Sequence, residues 1–229
     1  MSHLNEQEII NSWEVNAGAW AEAVQQEKIE SRKLATDQAI IDAVMRYHPS
    51  RALDAGCGEG WLARRLAENS VMVTGVDVVP ALIENARQLG GGEFEVCSYE
   101  DIAGGRLQPR GQYDAVICNF SLLGYESVHD LIRHVPKLLS ENGRLFVQTL
   151  QPVVACGDRP YREGWRPGSW EGFGPEFQQP APWYFRTLAG WINLFAKSGL
   201  QLTECIEPVH PVTGKPVSII FVCLAPWDF

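Results

Sequence analysis

No two cysteines stand in a C-x-x-C arrangement, and the six present (Cys57, Cys97, Cys118, Cys156, Cys205 and Cys223) fall mostly on apolar strands or turns. That distribution argues against zinc and disulfide frameworks and predicts buried, reduced thiols. Clusters of lysine or arginine are missing too: 19 basic residues face 28 acidic ones, for a net charge of −9. So acidic a chain opposes nucleic acid and anionic membrane as partners. Apolar runs approaching about 18 residues are also lacking, and the polar opening MSHLNEQEII has no apolar signal core. The expectation is a soluble cytoplasmic protein.

The composition itself is ordinary for a globular protein, 45% hydrophobic over 229 residues, enough for one α/β domain with additions. Residues 53–77, LDAGCGEGWLARRLAENSVMVTGVD, organise the rest. An apolar strand enters Gly56-Cys57-Gly58-Glu59-Gly60. Leu62, Ala63, Leu66 and Ala67 then have helical spacing, and Val71, Val73 and Val76 alternate as a strand does. Glycines allow a ligand close to the backbone, and the following helix presents unpaired N–H groups. Asp77, ending the second strand, can accept both hydroxyls of a ribose. A dinucleotide turn needs a small residue where Trp61 stands, and Asp54 would repel a diphosphate. A carboxylate at position 54 suits a positively charged ligand instead.

The run D-A-G-C-G-E-G followed by G-V-D resembles the first two motifs of class I S-adenosylmethionine-dependent methyltransferases, of the small-molecule type seen in ubiquinone and menaquinone biosynthesis. The resemblance implies S-adenosylmethionine as cofactor, with Asp54, Gly56, Cys57, Gly58, Asp77 and Val78 around it. It also implies a Rossmann-like, doubly wound α/β fold: a seven-stranded, mostly parallel sheet with an antiparallel C-terminal hairpin and helices on both faces. One domain is expected over 1–229, made of a helical cap (1–48), a cofactor core (51–150), an aromatic insertion (152–182) and a C-terminal helix and hairpin (183–229).

Residues 5–28 carry Ile10, Trp13, Ala17, Trp20 and Val24 as a helical stripe. Trp20 reads either as core or as a lid over a ligand. The pattern W-x-x-N-A-x-x-W followed by I-E-S-R resembles the N-terminal cap of small-molecule methyltransferases, which implies that Arg32 grips the methionine carboxylate; a solvated arginine is the plain alternative. A second helix is expected over 36–47, and Pro80 starts another that runs to Gly90. After a third strand, Ser98-Tyr99-Glu100 stands where the family has an acid contacting adenine. Either Ser98 or Glu100 makes that contact, or Ser98 caps a helix with Asp101 as its partner. QYDAVIC (112–118) reads as a central strand, and the resemblance puts Asn119 and Phe120 at its carboxyl end beside the cofactor. There is no N-P-P-Y motif, which disfavours methylation of DNA bases or glutamine amides.

Ser127-x-x-Asp130 reads as the cap of a helix bent at Pro136, and Asn142-Gly143 as a turn into a fifth strand, 144–150. Periodicity fails over 152–182, where Tyr161, Trp165, Trp170, Phe173 and Phe177 crowd a long loop. With Tyr125 and Trp183, these aromatics are expected to close over an apolar acceptor; the alternative is a dimer contact. The pattern turns helical again from Trp183, and two strands at 200–208 and 217–224 should pair antiparallel. For a hydroxyl acceptor, His210 is the candidate base, with Glu207 and Tyr125 in reserve. The expected function is methyl transfer to a small-molecule acceptor by a monomer or homodimer without metal. A catalytically silent binding or regulatory subunit of the same fold is the alternative.

Overall fold

The computed structural model describes residues 5–107 and 111–225. Five parallel strands come first: β1 (Arg51–Ala55), β2 (Met72–Asp77), β3 (Glu93–Val96), β4 (Tyr113–Asn119) and β5 (Leu139–Leu150). Then β6 (Gly164–Arg166) and β7 (Trp183–Phe185) form a small antiparallel sheet of their own. Finally β8 (Gln201–Ile206) and β9 (Ser218–Leu224) join the main sheet, giving the order β3-β2-β1-β4-β5-β9-β8 with β9 antiparallel to both neighbours. The topology agrees with the expected Rossmann-like sheet and terminal hairpin. The reversal of direction from β1 toward β2 on one side and β4 on the other opens a crevice at the carboxyl ends of these strands.

The apolar runs of β1 and β4 are buried on both faces, as a central parallel strand requires. Alternation splits their side chains between two cores. Leu53, Ala55, Val116, Cys118 and Val147 face α5 (Tyr99–Ala103), α6 (Glu126–Leu138) and α8 (Leu188–Lys197). Ala52, Ala115, Ile117 and Phe146 face α2 (Asp37–Met45), α3 (Trp61–Ala67) and α4 (Pro80–Leu89). The N-terminal helix α1 (Glu6–Gln25) lays Ala17 and Ala21 on Val79 and Leu82, where β2 passes into α4.

Several local expectations are corrected. A π turn, Arg32–Thr36, precedes α2. Trp183 lies in β7, and the helix begins only at Leu188, with the Thr187 hydroxyl accepting from Gly190 N. The segment after β5 is not wholly irregular, since α7 (Pro152–Cys156) and β6 interrupt it. Strand β5 starts at Leu139, directly after α6. Residues 140–143 bulge out where the register jumps from Tyr113↔Leu139 to Ala115↔Arg144, and Asn142 bends there with φ 63°. Cys205 is exposed, unlike the other five thiols. Among the described residues no helix is long and apolar enough to cross a membrane, and no His, Cys, Asp and Glu group is arranged to hold a metal.

The cap of α6 is also not local. No side chain of its own N-cap serves it; instead the Glu6 carboxylate, 119 residues away, accepts from the amides of Tyr125 (2.6 Å) and Glu126 (2.7 Å), with Ser127 at 3.3 Å. An anion at a helix N-terminus meets both the orphan donors and the dipole. Glu6→Ala is therefore expected to lower the unfolding free energy by about 1–2 kcal/mol in urea titrations, whereas Ser127→Ala changes it by less than about 0.5. The reverse ranking would restore the local cap.

Candidate active site at the glycine turn

Backbone geometry explains the three glycines of the turn. Gly56, Gly58 and Gly60 have φ of 80°, 56° and 82°, a region costly for other residues. A Cβ on Gly56 would lie 2.3 Å from Ser121 Cβ, because the exit of β4 presses against the turn there. Ser121 Oγ donates to Ala55 O (2.7 Å), and the Tyr99 hydroxyl donates to Ser121 O (3.1 Å). Tyr99 is thus a wall behind the turn, tying β1, β4 and α5 together. A Cβ on Gly58, by contrast, would meet only Trp20 Nε1, at 3.8 Å. That face of the turn is the accessible one.

Asp77 holds the turn to the strand beyond it. Its carboxylate accepts from Gly58 N (3.0 Å) and Val79 N (2.9 Å). Burial raises its pKa, and the amides of Val79, Gly58 and Val78 oppose the rise. Asp54, 1% exposed in β1, is more strained. Its Oδ2 has no hydrogen-bond partner, and burial, with Asp77 and Glu59 close by, pushes its pKa up to about 7. Glu59 is equally buried, but the Arg64 guanidinium meets it at 2.5 Å. Cys57 lies buried beneath the turn.

Arg32, in the π turn, reaches the glycine turn's surroundings through two indoles. Its guanidinium stacks over the Trp61 ring at 4.6 Å and lies 5.8 Å from the Trp20 ring, while Nε donates to Asp37 (3.0 Å). Its Nη2 is buried without an acceptor. Trp61, at the first position of α3, thereby acquires a role of its own as the platform under Arg32.

Further unpartnered atoms gather on the same face of the sheet. Asp54 registers with Ile117, two residues before Asn119, and Asn119 registers with Gln148, so all three side chains point to the side where the π turn lies. Gln148 Nε2 donates to Thr36 O (3.2 Å) and Ser218 Oγ (3.0 Å). Left without partners are Asn119 Oδ1, Gln148 Oε1 and Thr36 Oγ1, besides Asp54 Oδ2 and Arg32 Nη2. Buried polar atoms are ordinarily paired, and each orphan costs about 1–3 kcal/mol. Gln148 and Thr36 were not legible as site residues, although a glutamine inside RLFVQTL is a polar interruption of a buried strand. Next to Asn119, Phe120 has φ 53°, a strained backbone at the strand exit.

The other expected cofactor contacts are placed as follows. Ser98 and Asp101 form a reciprocal capping box on α5, the alternative left open by the sequence, so the Ser98 hydroxyl is already engaged. Glu100 is exposed, and Val78 is half-buried against α1.

The aromatic residues form two groups rather than one. Trp170 and Phe173 reach the α1 indoles: Trp170 meets Trp13 edge-on at 5.8 Å, Phe173 lies 6.3 Å from Trp20, and Phe177 packs behind both. Asn16 clamps this segment to α1, donating to Gln178 O (2.6 Å) and accepting from Gln178 N (2.8 Å). Trp165 instead faces Tyr184, which packs at a tilt on Tyr125. Trp183 borders a cleft of about 400 Å³ with Cys156, Arg159 and Arg166. A second cleft, of about 290 Å³, lies at the opposite, amino edge of the sheet around Arg51 and Val73. Neither is lined by the glycine turn, where the α1 indole lies instead. His210 turns inward, its Nδ1 accepting from Val212 N (3.2 Å) and Thr213 N (3.4 Å) of its own loop. Glu207 accepts from Gln151. The structure therefore does not gather His210 and Glu207 with the glycine turn.

Residues 28–205 match the model of a family described as a methyltransferase domain. Among curated proteins, the ubiquinone biosynthesis O-methyltransferase of Xanthomonas oryzae pv. oryzae (strain PXO99A) is 35% identical over 121 residues, which are 51% of this chain and 49% of that protein. The chain thus spans about half the length of the curated relatives it matches. A crystal structure described as a putative S-adenosylmethionine dependent methyltransferase from Listeria monocytogenes superposes with a TM-score of 0.67 at 21% identity, covering 84% of this chain and all of that one. The putative methyltransferase solved in complex with the Haloferax volcanii Trm112 activator gives 0.68 at 15% identity, covering 96% and 99%. At such identities the likeness shows the fold.

The Asp54 carboxyl gives a prediction whose sign is fixed. Its pKa moves from 3.8 to about 7 on folding, so between these values the folded chain holds a proton that the unfolded chain has lost. Through this group, stability falls as pH rises across that window, by up to about 1.4 kcal/mol per pH unit. Asp54→Asn should therefore be more stable than the parent at pH 8 in denaturant titrations, with the gap closing toward pH 5. A gap that ignores pH contradicts a carboxyl titrating near 7.

Proposed function

The chain belongs to the methyltransferase-domain family, and on that premise we propose that it transfers a methyl group from S-adenosylmethionine to a small-molecule acceptor. The observation that carries the reading is the set of unpartnered polar atoms at the carboxyl edge. Arg32 Nη2 offers a donor, while Asp54 Oδ2, Asn119 Oδ1 and Gln148 Oε1 offer acceptors, all buried and unpaired. An α-amino acid end, with one carboxylate and one ammonium, complements both kinds. A neutral ligand would leave Arg32 Nη2 without an anionic acceptor and Asp54 without a cation.

In this reading Asp77 accepts the ribose hydroxyls with the lone pairs its two amide bonds leave free, and the bare face of Gly58 lets the ligand approach. When bound, S-adenosylmethionine supplies a methyl group on a sulfonium, which an acceptor atom can displace in line. The chain supplies position and dryness. Arg32 is held in advance by Trp61 and Asp37, so little freedom is lost when it takes up a carboxylate. Asp54 returns to its ionised form beside a cation. Trp13, Trp20, Trp170 and Phe173 exclude water, and their attachment to α1 supports a lid rather than a dimer contact. Similarity over half the chain to O-methyltransferases favours a hydroxyl acceptor.

Thermal-shift measurement separates this reading from its rivals. S-adenosylhomocysteine at a hundred times its dissociation constant should stabilise the protein by about 2.7 kcal/mol, with NAD without effect. Turnover of S-adenosylmethionine with a hydroxylated acceptor, slowed more by Trp170→Ala than cofactor affinity is weakened, completes the case. Stabilisation by NAD and not by S-adenosylhomocysteine would refute it.

A further inference from the structure

Arg186, between β7 and α8, is a buried cation to which no carboxylate among the described residues is bonded. It is 3% exposed. Nη2 donates to Gly124 O (2.8 Å) and Tyr125 O (3.2 Å), but Nε and Nη1 have no acceptor. Glu163 and Glu6 act on it only through space, and burial pushes its pKa down to about 10. Its surroundings are aromatic: the guanidinium carbon lies 5.0 Å from the Tyr184 ring, 5.0 Å from that of Trp191 and 6.0 Å from that of Tyr125.

Ring contacts of this kind offset part of the cost of desolvating a cation. They do not replace a hydrogen-bond acceptor for two N–H groups, and a cation taken out of water without such acceptors is destabilising. A structural pin for two carbonyls would need only Nη2. Position adds a second argument. Gly124 and Tyr125 end the short loop that begins at Phe120, directly after Asn119 closes β4, so this cation is moored to the segment leaving the proposed cofactor edge. Tyr125, 37% exposed and packed at a tilt on Tyr184 at 4.5 Å, is the outermost of the rings and the one best able to yield to an incoming ring.

We propose that Arg186 recognises an anionic oxygen of the methyl acceptor, and that the acceptor is a small aromatic compound, a carboxylate or phenolate, stacked among Tyr125, Tyr184 and Trp165. This rests on the methyltransferase reading and narrows its acceptor. Nε and Nη1 donate charge-assisted hydrogen bonds to the oxygen, and the rings supply apolar faces.

The test is titration calorimetry at pH 8 on the whole chain saturated with S-adenosylhomocysteine, using two matched pairs: benzoate against benzamide, and ionised 4-nitrophenol against 4-nitroanisole. In at least one pair the anion should bind tenfold tighter or more, which also tells carboxylate from phenolate. Arg186→Gln should reduce that preference to less than threefold with S-adenosylhomocysteine affinity unchanged. Should that variant not fold, Arg186→Met, which keeps an apolar stem but neither the charge nor the donors, is held to the same criterion. Absence of an anion preference in the wild-type protein overturns the proposal whatever the variants do, as does a preference that survives in a folded Arg186 variant. Failure of the wild-type chain to bind S-adenosylhomocysteine at all would instead strike the methyltransferase reading beneath it.

Discussion

A donor of one cation and an acceptor of one acid are kept unpartnered around one bare turn, and much of the architecture serves that arrangement. Asp54 sits in the centre of a parallel sheet with an oxygen that nothing satisfies, and Arg32 holds a guanidinium N–H in the same condition. Left to themselves, such groups would be replaced by apolar residues or would pair with each other. They are prevented by geometry. Asp54 is fixed in β1, while Arg32 is pinned to the Trp61 ring and to Asp37. In the proposed reading, stability is sacrificed locally in favour of a ligand that carries both signs of charge.

The N-terminal helix makes this edge a closed one. Glu6 caps α6, Ser12 and Asn16 hold the carbonyls of Gln179 and Gln178, Ala17 and Ala21 rest on the start of α4, and Trp20 lies against Gly58. One helix thus joins four segments of the chain: the glycine turn after β1, the turn after β2, the loop after β4 and the aromatic insertion after β5. Motion of α1 necessarily moves the aromatic cover, because the two share hydrogen bonds as well as ring contacts. Lids drawn from such peripheral elements open without disturbing the sheet.

Much of this was legible in residues 53–77, because strand, glycines, helix and terminal acid obey local rules at short range. Trp61 was informative by what it excludes, but its partner was invisible: Arg32 lies 29 positions earlier and meets it only through the tertiary fold. The cap of α6 failed for the same reason, a plausible Ser127-Asp130 pattern losing to Glu6. Trp183 was taken for the start of a helix because the aromatic run 183–185 shows no period of its own; pairing with β6 decides it. The insertion read as a single lid, whereas strand alternation in β6 and β7 sends Trp165 and Trp183 to opposite sides. Gln148 and Arg186 were missed because orphaned polar atoms are a property of packing, which no single-chain pattern encodes.

If the unpartnered polar atoms at the carboxyl edge form the receptor for an α-amino acid end, that end must supply much of the cofactor's affinity. Comparing S-adenosylhomocysteine with 5′-methylthioadenosine, which shares the adenosine and thioether but lacks the amino acid, by calorimetry isolates the contribution. Two charge-assisted interactions of about 1.5–3 kcal/mol each predict a difference in dissociation constant of a hundredfold or more, shrinking by at least tenfold in Arg32→Ala. Equal affinities for the two compounds would show that the buried charges have another purpose, and would contradict the account.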